Sequence, residues 1–279
     1  MNEPTFQAWR KRLLNLLLSA MTLIALILGT IYLMQDNLLY FPEPIDPRAA
    51  LAQAGRLRLA PWPDAQAPRA WLRETPATTR GTIILFHGNA GHALHRSWYA
   101  DELEKLGFKT LLAEYPGYGH RNGAMGEKSL AGDAAESIAL LRQQLAGPLY
   151  VAGESLGAGV AAAALARNSA GIDGVMLITP WNDLTSVAKH HYPILPVRLL
   201  LRDRYDSVAN LRGFAGPKLV LVAEQDSIVP AKFGRALYES LGSNKKLLEI
   251  PNTDHNDWMR DMRSENWREV FAFLEGKSR

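Results

Sequence analysis

Hydrophobic and polar positions alternate in two different ways along the chain. From Leu13 to Met34 the sequence is apolar on every face of a helix and carries no charged residue, whereas a helix packed on a protein surface keeps a polar side. A run of about 20 such residues is long enough to cross the hydrocarbon core of a bilayer, and it predicts a transmembrane segment rather than a buried core helix. From Gly81 onward, short β-rich apolar runs alternate with helical segments. The runs predict strands over 82–86, 110–114, 149–152, 174–178, 218–223 and 246–250, with helices over 97–106, 128–145, 156–167, 231–241 and 264–274. That rhythm is the mark of βαβ units around a mostly parallel sheet flanked by helices on both faces.

Two intervals interrupt the rhythm. Residues 37–80 are rich in Pro and Ala, with Pro42, Pro44, Pro47, Pro61, Pro63, Pro68 and Pro76 set against any long helix. They predict a linker with two short entry strands, 56–59 and 70–73. Between Thr179 and Gly216 no strand pattern occurs. A gap of that size inside a compact domain is usually a functional insertion, and it predicts a small cap at about 181–214. The chain thus divides into a basic tail and helical anchor (1–36), a linker with entry strands (37–80) and a catalytic domain (81–279).

Composition narrows the class. With 279 residues, 47% hydrophobic and 21% charged, one α/β domain is the expectation. The formal net charge is only +3 and the basic residues are scattered apart from Arg10-Lys11-Arg12, so no nucleic-acid partner is expected. The absence of cysteine excludes disulfides, thiolate zinc sites, a cysteine nucleophile and a lipid-modified cysteine. The basic triplet also suits a cleaved signal peptide, but the apolar stretch is too long and Tyr32-Leu33-Met34-Gln35 offers no small-residue cleavage site. An uncleaved signal anchor is expected. Three basic residues precede the span, while Asp36, Glu43 and Asp46 follow it before Arg48. This asymmetry predicts a cytoplasmic N-terminus and a catalytic domain outside the cytoplasm, in the periplasm if the source is bacterial.

The chemistry centres on Gly153-Glu154-Ser155-Leu156-Gly157, a Gly-x-Ser-x-Gly run between a predicted strand and a predicted Ala- and Leu-rich helix. Such runs occur by chance in Gly- and Ala-rich chains, but the strand–turn–helix context is that of the nucleophile elbow of the α/β-hydrolase fold. Gly153 and Gly157 leave room for a sharp turn, and the helix N-terminus turns backbone N–H groups toward developing negative charge. Ser155 needs a base, and imidazole has the suitable pKa. Triad order in this fold is Ser, then Asp or Glu, then His, and among the seven histidines only His255 follows the last predicted strand. The acid is expected in the loop after the preceding strand, where Asp226 is preferred over Glu224, with Asp183 as the stand-in. Asp254 and Asp257 are read as solvating their loop. Backbone amides of Asn89, in His87-Gly88-Asn89-Ala90-Gly91, and of Leu156 are expected to form the oxyanion hole. His87, His92 and His95 could suggest a metal site, but no cysteine and no paired carboxylate accompanies them at ligand spacing, so no metal and no cofactor are expected. Tyr115-Pro116-Gly117-Tyr118-Gly119 reads as a tight turn that shapes the pocket wall.

With these residues assembled, the sequence resembles the membrane-anchored α/β-hydrolase-domain proteins related to the fission-yeast bud-emergence suppressor family and their bacterial counterparts. The likeness rests on Leu38-Leu39-Tyr40-Phe41-Pro42, the 87–91 and 117–119 runs, the serine motif, the 199–207 stretch and His255-Asn256-Asp257, and it covers nearly the whole chain. It implies a serine hydrolase acting on esters, thioesters or lysolipids, with Ser155, Asp226 and His255 at the matching triad positions. The chain departs from the family pattern at Pro116, His120, the glycine-free Ala223-Glu224-Gln225-Asp226 loop, and Asp254 before the histidine. The expected partners are a membrane and a small acyl-ester, thioester or lipid-derived substrate. An exopeptidase shares the same triad and a silent membrane scaffold shares the fold; specificity lies in the cap and not in the motif.

Overall fold

A computed structural model describes residues 3–74 and 79–277; Pro76 of the linker lies outside the described residues. The chain begins with α1 (Glu3–Leu39), followed by β1 (Phe41–Pro42), α2 (Pro47–Arg56), β2 (Ala60–Trp62) and β3 (Ala70–Arg73). Then come β4 (Gly81–Phe86), β5 (Ala90–Gly91), a 3-10 turn at Ala93–Arg96, α3 (Ser97–Lys105), β6 (Phe108–Ala113), α4 (Glu127–Gln144), β7 (Leu149–Glu154) and α5 (Leu156–Arg167). The last part runs β8 (Gly174–Ile178), α6 (Leu184–His191), α7 (Val197–Leu200), α8 (Ser207–Leu211), β9 (Lys218–Ala223), α9 (Ala231–Ser240), β10 (Lys245–Ile250), a second 3-10 turn at Trp258–Asp261, and α10 (Ser264–Leu274).

Eight strands form one sheet in the order β10-β9-β8-β7-β4-β6-β3-β2, and all neighbours are parallel except those of β3. Alternation along each strand feeds two cores. Ile84, Phe86, Val220 and Val222 pack with α4, α5, α8 and α9 on one face, while Ile83, Leu85, Leu219 and Leu221 pack with α2, α3 and α10 on the other. The six main strands fall where the apolar runs predicted them, with ends shifted by one or two residues.

The 37–80 segment is where structure and expectation part. The expected strand at 56–59 is the end of α2 and the turn after it, and the strand begins at Ala60. Pro47 does not break this helix but starts it. It occupies the first turn, where the missing N–H is no loss, and Asp46 caps the end by accepting from Arg48 N and Ala49 N at 2.9 and 3.1 Å. Ala50 and Ala54 are buried against the sheet. Arg73 fastens this region: its buried guanidinium donates to Asp101 and Glu104 and to the carbonyls of Leu57 and Arg58. Residues 40–74 are part of the folded body and not a free tether.

Helix α1 is long and apolar enough to cross a membrane over Gln7–Leu39, and its most apolar 18-residue stretch is not buried in the rest of the chain. Its C-terminal end is docked on the insertion between β8 and β9. Gln35, 6% exposed, donates to Leu200 O at 3.1 Å and accepts from Arg202 N at 2.8 Å. Arg202 also pairs with Asp36 and lies over the Tyr32 ring. The insertion itself has two parts. Residues around Tyr192, Ile194 and Leu199 project into solvent, whereas Tyr205, Leu211 and Phe214 are buried in the core beside α5.

Candidate active site

Ser155 sits between β7 and α5 with φ 53° and ψ −114°. A left-handed conformation costs a non-glycine residue about 1–3 kcal/mol and persists only where its surroundings enforce it. Here Ser155 N donates to Ile178 O at 2.8 Å and Ser155 O accepts from Ala158 N at 2.9 Å. The flanking glycines are required by contact. A Cβ at Gly153 would strike the Gly157 carbonyl, and one at Gly157 would strike the backbone of Phe86 in the neighbouring strand β4. The Ser155 side chain is buried among these elements at 8% exposure, and its Oγ makes no hydrogen bond among the described residues.

Asp226 and His255 are brought together from the loops after β9 and β10. His255 Nδ1 donates to Asp226 Oδ2 at 2.7 Å, with both side chains buried. Asp226 Oδ1 accepts from Ile228 N at 3.0 Å and Val229 N at 2.6 Å, so the carboxylate is held at both oxygens. This fixes the imidazole tautomer with its proton on Nδ1. His255 Nε2 makes no hydrogen bond among the described residues. The other acids of these loops are engaged elsewhere: Glu224 accepts from Asn252 N, and Asp183 caps α6 through Ser186.

Asp254 buttresses His255. Its carboxylate accepts from Ser227 N at 2.7 Å, from Ser227 Oγ, and from His255 N at 2.7 Å, tying the acid loop to the histidine loop. The backbone N–H groups of Ser227 and His255 hold its carboxyl below the usual value of 3.8. A depressed carboxyl contributes stability that is present above its unfolded value and lost as the pH falls through the folded one. Asp254→Asn is therefore expected to flatten the acid limb of the thermal-stability profile below about pH 4, read by calorimetry; an unchanged acid limb would remove Asp254 from this role.

The 87–91 loop faces the serine turn from β4. Neither Asn89 N nor Leu156 N donates to a protein acceptor among the described residues. The tight turn at 115–119 holds this loop. Tyr115 donates to His87 O at 2.7 Å and Tyr118 to Asn89 Oδ1 at 3.1 Å, so the tight turn braces the loop from behind. Burial raises both hydroxyls above their ordinary value and keeps them donors. His87 is buried with Nε2 3.1 Å from Glu114 Oε1 and Nδ1 2.7 Å from Gly88 O, while Glu114 Oε2 accepts from Ala93 N. Glu154, the residue before Ser155, pairs with Arg96 and accepts from Tyr99, and a Cβ at Gly88 would stand 2.9 Å from its carboxylate. Asn89 looks outward: its Nδ2 donates to Leu39 O at 2.6 Å and its Oδ1 accepts from Phe41 N at 3.3 Å, at the exit of α1. No local pattern announces most of these contacts, which join segments far apart in the chain.

A parallel sheet with one antiparallel strand near its edge, a strained serine at a strand-to-helix turn and an Asp–His pair from the next loops define a serine hydrolase of the α/β-hydrolase class. The comparisons with known proteins agree. Residues 77–210 match a family described as Hydrolase_4, serine aminopeptidase, S33. An uncharacterized protein of Mycobacterium tuberculosis strain H37Rv is 34% identical over 236 residues, covering 81% of this chain and 82% of that one. The chain belongs to this α/β-hydrolase family. It is also similar to the lysophosphatidylserine lipase ABHD12 of Danio rerio, 30% identical over 206 residues, covering 67% of this chain and 54% of that one. The chain thus spans about half the length of that lipase. Among solved structures, the monoacylglycerol lipase of Paleococcus ferrophilus superposes with a TM-score of 0.56 at 21% identity, over 75% of this chain and 99% of that one. The Pyrococcus furiosus esterase Pf2001 gives 0.60 at 18% identity, over 74% and 86%. These two likenesses speak to the fold alone.

Proposed function

We propose that the chain is a membrane-anchored lipase of single-chain lipid esters, lysophospholipids foremost, working through Ser155, His255 and Asp226. The observation that carries this reading is the 2.7 Å bond from His255 Nδ1 to a doubly anchored Asp226, at the same sheet edge as the strained Ser155. Ser155 Oγ attacks the acyl carbonyl while His255 Nε2 takes its proton, Asp226 steadies the imidazolium, and the amides of Asn89 and Leu156 receive the oxyanion. The proton then passes to the departing alcohol, and water activated by the same imidazole releases the fatty acid. The Ser–His hydrogen bond of such sites commonly tightens only with substrate bound.

The lipid assignment draws on two supports. A lysophosphatidylserine lipase is among the relatives, and the insertion that exposes Ile194 and Leu199 is hydrogen-bonded to the end of the apolar helix through Gln35. In this reading α1 crosses the membrane with Arg10-Lys11-Arg12 on the cytoplasmic side, and the hydrolase body lies on the other side. The test is turnover by the full chain in detergent of lysophosphatidylserine, monoacylglycerol, acyl thioesters and aminoacyl amides. Release of fatty acid from the lysolipid, lost in Ser155→Ala, is the expected result. Turnover confined to aminoacyl amides would replace this reading with an exopeptidase, and no turnover of any would leave a scaffold.

A further inference from the structure

One cluster of ligand-type side chains stands apart from the reacting groups: Glu43, His92 and His95. Each offers one ligand atom, and these atoms lie within 4.8 Å of one another. The topology brings them together. β1 pairs with β5 in the register Phe41↔Ala90 and Pro42↔Gly91, and Glu43 N donates to Gly91 O at 3.1 Å, which carries Glu43 over the turn that starts at His92. His92 and His95 bracket the first turn after β5, with ring centroids 3.7 Å apart. The carboxylate missing from the sequence neighbourhood of the histidines is thus supplied from the exit of α1.

One further observation points to a ligand. His92 is 3% exposed, yet neither of its ring nitrogens makes a hydrogen bond among the described residues, and Nδ1 is sealed from solvent. A buried polar group without a partner is uncommon and costly. In addition, Gly91 takes φ +89°, and a Cβ there would stand 2.6 Å from His95 Nδ1, so any side chain at this position would press on the ring.

We propose that Glu43, His92 and His95 bind one divalent cation of the zinc class, with water completing the shell. Two imidazoles and one carboxylate form a donor set of that kind, whereas calcium and magnesium prefer all-oxygen shells. Zinc bonds of about 2.0–2.2 Å set tetrahedral ligand atoms about 3.4 Å apart. Glu43 and His95 are exposed and free to rotate inward onto the buried His92. The ion would clasp the chain leaving α1 to the loop that carries Asn89. It takes no part in acyl transfer and is independent of the substrate assignment.

The experiment uses the full chain in detergent, stripped with EDTA and titrated with Zn²⁺, reading stoichiometry by native mass spectrometry and stability by thermal unfolding. One zinc per chain is expected, with a rise in Tm of about 5 °C at saturation. Glu43→Ala and His95→Ala, both at exposed positions, are each expected to weaken binding at least about tenfold. His92→Asn tests the buried ligand. The exposed pair His190 and His191 is the rival chelate, so His190→Ala/His191→Ala is expected to leave binding unchanged. Failure to retain zinc, binding that survives Glu43→Ala and His95→Ala, loss in the His190/His191 variant, or equal stabilisation by Ca²⁺ would each overturn the proposal.

Discussion

Ser155→Ala is expected to abolish covalent labelling by a fluorophosphonate and to lower ester turnover by about a million-fold, the scale seen when a triad serine is removed. The fold should survive. The turn around residue 155 is fixed by backbone contacts, Ser155 N to Ile178 O and Ala158 N to Ser155 O, and Oγ is bonded to nothing among the described residues. Alanine also keeps a Cβ in the same left-handed conformation, so the strain at φ 53° is common to both proteins. Thermal unfolding of the variant should therefore lie close to the parent. Equal labelling of parent and variant would move the nucleophile elsewhere.

Asp226→Asn is the second large effect, a loss of about ten-thousand-fold in kcat. The argument turns on how both carboxylate oxygens are used. Ile228 N and Val229 N donate to Oδ1, so the asparagine must keep its carbonyl oxygen there and turn its NH2 toward His255. Faced with a donor, Nδ1 can only accept, which moves the ring proton to Nε2 and leaves no base toward Ser155. The fold is again expected to hold, because the two backbone bonds are retained. Steady-state kinetics with the preferred ester decide the matter: a variant keeping more than a tenth of parental kcat would exclude Asp226 from orienting the base.

Much of this was legible in the residues themselves. The central parallel strands announce themselves because both their faces are buried, which leaves uninterrupted runs such as that of Lys218–Ala223 between breakers. The serine turn was legible because its constraint is local: Gly153 and Gly157 are needed by atoms within a few residues or in the adjacent strand. The entry segment was misread for a physical reason. Proline disfavours a helix interior yet suits a first turn, and only Asp46 in the capping position tells the two apart. What stayed hidden were partnerships between distant segments, Gln35 with Leu200, Asn89 with Leu39, and Arg73 with Asp101 and Glu104. Each is made by polar side chains whose type fits a dozen roles, and only the folded chain chooses one.

The hydrogen bonds of Asn89 to Leu39 and Phe41 bear on how the body is carried. A catalytic domain hung from a flexible tether tumbles and meets its substrate by rotational search. Here the last turn of the helix and the 87–91 loop are consecutive links with no slack between them, and Gln35 and Asp36 add a second point of attachment. Two attachments fix an angle, so the pitch of the sheet against the helix axis is built into the chain. Lengthening the 39–41 junction would turn a rigid mount into a hinge, and the catalytic edge would lose its set direction.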